Sequence, residues 1–213
     1  MRKVALVLIV VCLLASSATG EDMFPPPWDP TLPNQTYQHW IFPLNPYEPF
    51  EQVNPYGEPY IEWPATAELV EVEDWTGITI TTWHIGGEPG QLSEIRIWIP
   101  NNKEENLYKL LHWQMTTDGS PTPTGDPPVT DPPGTSLPTG NPRGALGGNW
   151  YVYDGLIRIV PNPEGEWLTF TMVTCAHIEE IVIRTVCVVP EPTTMGLTAA
   201  GGLLLAMWRR RRR

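Results

Sequence analysis

The chain is short of basic residues, of cysteine and of long apolar runs. Of 213 residues, 13 are Lys or Arg, three are Cys and four are Phe. Seven of the basic residues sit at the ends: Arg2 and Lys3, then Arg209, Arg210, Arg211, Arg212 and Arg213. Six remain between them against 24 acidic residues, a net charge of −18 for the body. Such a body repels phosphate backbones, so no nucleic-acid partner is expected. Three cysteines cannot staple a disulfide-dense scaffold. No apolar run reaches the ~20 residues that a membrane span ordinarily needs. The patterns H-E-x-x-H, C-x-x-C and G-x-S-x-G are missing as well, which argues against zinc and against a serine nucleophile.

What is there begins with the two ends. Behind Arg2 and Lys3, residues 4–15 form an apolar run of 12, followed by Ala18 and Gly20 at the −3/−1 spacing of a signal peptidase site. Residues 1–20 therefore read as a cleaved secretory signal. Cys12 would be lost with it. At the other end, residues 195–208 are apolar or small apart from Thr198. As a helix they would reach ~21 Å, less than the ~30 Å hydrocarbon core. The five arginines behind them resist crossing and stay on the cytoplasmic side. A short span with a firm stop suits a temporary hold.

Val189, Pro190, Glu191 and Pro192, the short apolar segment and the arginine cluster together resemble a PEP-CTERM sorting signal. The resemblance covers residues 189–213. It implies export across the inner membrane of a bacterium that makes exopolysaccharide, and transient membrane insertion. It further implies exosortase as the partner that cuts the tail, then release to the cell surface or beyond. Elsewhere, Pro26, Pro27 and Trp28, the run Asn54 to Gly57, Ile99 to Asn101, and residues 181–187 resemble a recurring group of PEP-CTERM proteins. That group supplies no activity to carry over.

Between the ends, residues 21–188 hold enough aromatic and β-branched material for one core: nine tryptophans and seven tyrosines. Strands are expected at 36–42, 59–63, 67–73, 78–85, 93–99, 107–115, 150–160, 167–174 and 181–188. In 93–99, Ile95, Ile97 and Ile99 face one way and Glu94, Arg96 and Trp98 the other. In 167–174, Leu168, Phe170 and Met172 point inward and the threonines outward. Turn chemistry separates the runs, at Gly86 to Gly90 and Pro161 to Gly165 for example. The expected fold is all-β: a jelly-roll-like antiparallel β-sandwich with a long Pro/Gly/Thr-rich loop at 116–149.

Candidate chemistry is sparse. Cys175 and Cys187 would lie ~20 Å apart if 167–174 and 181–188 formed a simple hairpin, so both are expected as buried free thiols. His84 and His112 are candidates to meet across strands; His39 and His177 complete the four, and all four suit ordinary strand positions. Glu68, Glu71, Glu73 and Asp74 cluster, and Asp118, Asp126 and Asp131 dot the long loop. Paired carboxylates would serve a glycoside hydrolase. No cofactor is expected; among ions, clustered carboxylates would suit calcium, though no Asp-x-Asp-x-Asp-Gly loop is present. Tryptophan is the clearest excess. Trp98, Trp83, Trp113 and Trp150 are the candidate stacking platform for exopolysaccharide, because indole faces on a sheet pack against sugar rings. The expected role is structural or interactive rather than enzymatic, with carbohydrate binding first and hydrolysis second as alternatives.

Overall fold

The computed structural model describes residues 25–29, 31–88, 90–102, 108–119, 128–137 and 143–188. The signal segment, the PEP motif from Val189 to Pro192 and the arginines Arg209 to Arg213 lie outside them. Thirteen strands and no helix occur among the described residues. They are β1 (Gln35–Ile41), β2 (Glu51–Val53), β3 (Tyr60–Glu62), β4 (Ala67–Glu73), β5 (Thr79–Ile85), β6 (Leu92–Pro100) and β7 (Tyr108–Thr117). Then come β8 (Val129–Asp131), β9 (Gly134–Leu137), β10 (Arg143–Gly147), β11 (Trp150–Ile159), β12 (Gly165–Val173) and β13 (Ala176–Val188).

All pairings are antiparallel and fall into two sheets. The larger has nine strands, with β11, β7 and β13 at its centre and β1 and β5 both along the far side of β13. The smaller runs β3-β6-β12-β8. Side by side, β5-β13-β7-β11 opposes β6-β12-β8. From β5 onward the chain changes sheet from β5 to β6, β6 to β7, β7 to β8, β8 to β9, β11 to β12 and β12 to β13; earlier it crosses to β3 and back between β2 and β4. That is the crossing pattern of a jelly roll.

The alternation read from sequence sets the core. Ile95, Ile97, Ile99, Leu168, Phe170 and Met172 point from the small sheet at Leu111, Met115, Ile157, Ile159, Ile178, Ile181 and Ile183 of the large one. Each such side chain, taken fully out of water, contributes ~1.5–3 kcal/mol. On β13 the inward residues Ile178 and Ile181 are three apart. A bulge between Ile178 and Glu180 absorbs the odd residue and keeps both in the core.

Three expectations need correction. The segment 116–149 is not one long loop. β7 runs to Thr117, and β8, β9 and β10 follow within the segment, pairing with β12 and β11. Their composition gives little strand signal; long neighbours supply the ladder. Gly134 shows the fit: a Cβ there would lie 2.4 Å from Ile157 Cγ2. Second, β12 and β13 do not form a hairpin. The chain passes from one sheet to the other at Thr174 and Cys175, with Cys175 at φ 71°. Third, Cys175 is therefore exposed at a turn, while Cys187 is buried; both thiols are free. Extended β13 separates them by about 40 Å at ~3.3 Å per residue, far beyond a disulfide's reach.

Candidate functional site

The outer face of the small sheet carries the side chains that alternate with its core residues. Cross-strand register aligns them in rows. Tyr60 of β3 is opposite Trp98 of β6, Trp98 is opposite Trp167 of β12, and Trp167 is opposite Asp131 of β8. One row thus crosses four strands as Tyr60, Trp98, Trp167 and Asp131. The next reads Glu62, Arg96, Thr169 and Val129.

The aromatic rings touch. Trp98 and Trp167 have centroids 5.3 Å apart at 54°, and Tyr60 meets Trp167 edge-on at 5.5 Å. Tyr60 is 48% exposed, and both indoles are half-buried. The Arg96 guanidinium sits 4.2 Å from the Trp167 centroid and bonds Glu62 at 3.1 Å. Gly165 fixes how Trp98 lies. A Cβ at Gly165 would come within 2.5 Å of Trp98 Cζ2 and Cη2, so the indole rests over bare backbone. The result is a partly exposed aromatic strip, with the Arg96 guanidinium laid over Trp167 and exposed Asp131 at its margin. Such a strip can stack on a flat apolar ring face and accept hydrogen bonds at its rim.

Of the four tryptophans expected to form a platform, only Trp98 lies on this face. Trp83, Trp113 and Trp150 are 8%, 4% and 5% exposed, too little for any of them to offer a ring face. Trp83 stacks on Trp63 at 4.5 Å and donates its indole N–H to the Pro46 carbonyl. Trp113 lies in the core against Phe170, over Gly155. Trp150 faces away from the core, but the tip of the β4–β5 hairpin covers it. Its N–H donates to the Glu73 carbonyl, and Trp75 packs on its edge. Two members of the strip, Trp167 and Tyr60, were missed. Trp167 had a signal: it precedes Leu168 and shares parity with the outward Thr169 and Thr171.

The remaining candidates are held by local partners. His84 stacks on His177 at 4.9 Å, not on His112, because β5 pairs with the start of β13. Asp118 accepts from the His177 backbone N–H at 2.6 Å and contacts its Nδ1 at 2.6 Å. His112 sits 3.5 Å from Asp154 and is pushed down to about 4, chiefly by burial and then by Arg184. His39 contacts Glu180 and Tyr37. Glu68, Glu71 and Glu73 are exposed along β4, while Asp74 caps the turn through Thr76 and Ile78. Asp126 lies outside the described residues, as does the sorting motif. At the β13 bulge, burial and the charges of Glu180 and Asp74 push Glu179 up to about 8. Among the described residues no group of three or more His, Cys, Asp or Glu is placed to hold a metal ion.

A family model described as the PEP-CTERM protein-sorting motif matches residues 188–212. The chain carries that signal, which marks an exported protein that an exosortase processes and that is held at the membrane transiently. No curated protein matches the chain.

Proposed function

We propose that this protein is a non-catalytic component of the cell surface or extracellular matrix, and that it binds uncharged polysaccharide through the outer face of its small sheet. The observation that carries the reading is the row Tyr60, Trp98, Trp167 and Asp131, aligned by strand register on the outer face and at least partly exposed. The sorting signal supports it by directing the body outside the cell. The charge of the body, −18, disfavours anionic polymers and leaves neutral chains as the better ligands.

The test is a titration of the processed protein with neutral exopolysaccharide, followed by tryptophan fluorescence. Binding should shift the emission, and Trp98→Ala and Trp167→Ala should each weaken affinity by about tenfold, ~1.4 kcal/mol. An unchanged affinity in both variants would sink the reading. Chain length of the polymer is followed in the same samples. Shortening would replace binding by hydrolysis. No response of either kind, with a matrix altered by loss of the protein, would leave a purely structural role.

A further inference from the structure

The feature that neither sorting nor binding uses lies inside the sandwich. Lys109 of β7 and Glu166 of β12 face each other from opposite sheets, each 0% exposed, with Nζ 2.6 Å from Oε1. Among the described residues, nothing else hydrogen-bonds to Lys109 Nζ or to either Glu166 carboxylate oxygen. Two full charges in so dry a place are costly, because each lacks the further hydrogen bonds that would compensate desolvation. Moving one proton from the ammonium to the carboxylate leaves an amine against a carboxylic acid, both neutral. Burial indeed raises the Glu166 carboxyl, against the opposing pull of Lys109. The fold holds the Lys109 nitrogen 2.6 Å from a Glu166 carboxyl oxygen, with both side chains out of solvent. Such fixed contact is what gives intramolecular reactions their large effective concentrations.

We propose that Lys109 and Glu166 condense into an intramolecular amide that welds the two sheets together. The Lys109 nitrogen forms a bond to Glu166 Cδ, the bond from Cδ to the carboxyl hydroxyl breaks, and the hydroxyl leaves with a proton from nitrogen as one water. Nothing is oxidised or reduced, and no co-reactant is consumed. The product replaces two buried ionisable groups by one neutral amide. It also supplies a covalent tie that the cysteines cannot, since Cys175 and Cys187 stand at opposite ends of β13.

Mass spectrometry of the protein as isolated from its cells tests this. After denaturation and trypsin digestion, a branched peptide joining Lys109 to Glu166 should appear, lighter than its two arms by one water, and trypsin should no longer cut after Lys109. Lys109→Arg keeps the charge but should give only linear peptides. Glu166→Gln should restore the same branched product, now with loss of ammonia. Recovery of the wild-type Lys109 and Glu166 peptides only as separate linear species would overturn the proposal, and needs no variant to fold.

Discussion

The two sheets place their tryptophans differently. The large sheet hides Trp83, Trp113 and Trp150 behind a second layer of some kind: the opposing sheet, Trp63, or the β4–β5 hairpin tip. The small sheet turns Trp98 and Trp167 to its outer face, where both stay partly exposed and Arg96 and Tyr60 pack on Trp167. The same residue type therefore has two jobs in one domain. In the large sheet an indole fills space, and its N–H finds a backbone carbonyl where one is within reach, as at Trp83 and Trp150. In the small sheet the two indoles pack against each other at 54°, and Trp167 is stabilised by its neighbours Arg96 and Tyr60.

That contrast can be broken by substitution. The largest effect is expected for Trp113→Ala, which leaves a cavity beside Phe170 and should cost ~3–5 kcal/mol in denaturant unfolding. Trp98→Ala on the open face should cost less than ~1.5 kcal/mol; equal losses would erase the distinction between the sheets. Glycines sharpen it. Gly155→Ala drives a Cβ to 2.3 Å from Trp113, which has no room to move, and should destabilise by ~1–3 kcal/mol. Gly165→Ala meets the far end of Trp98, which can swing outward. It should leave the unfolding midpoint nearly unchanged while weakening polysaccharide binding.

Effects of pH also arise in the large sheet. Glu179 has a folded value of about 8, above its ordinary 4.5, so folding favours its protonated form. That contribution is fully present below about pH 4.5 and is lost as pH rises toward 8. Glu179→Gln should flatten the alkaline fall in thermal midpoint; an unaltered profile would count against a buried, protonated carboxyl. His112 works the other way. Its folded value of about 4 lies below the ordinary 6.5, so its stability is present above 6.5 and is lost on acidification toward 4. His112→Gln should blunt the acid fall measured in the same way.

Much of the fold was legible because strand parity is local. Ile95, Ile97 and Ile99, and Leu168, Phe170 and Met172, could be assigned inward from two-residue alternation alone, and the structure places them there. The same alternation put Trp98 outward. It also held an unused signal for Trp113, which shares parity with the core residues Leu111 and Met115. For Trp150 it held none. That residue points away from the core and is buried only because a hairpin from a distant part of the chain arrives on top of it. The strands β8, β9 and β10 were illegible for a related reason: Thr, Gly and Pro give no pattern, and the edges of β11 and β12 recruit them.

By itself the sequence determined the export signal, the β-class and the faces of β6 and β12, since charge runs, apolar lengths and period-two alternation act within a few residues. Tertiary structure alone decided which faces stay open. It brought Tyr60, Trp98 and Trp167 into one row and Lys109 against Glu166. Those encounters join strands far apart in the chain, and only the closing of two sheets on one core sets their distance.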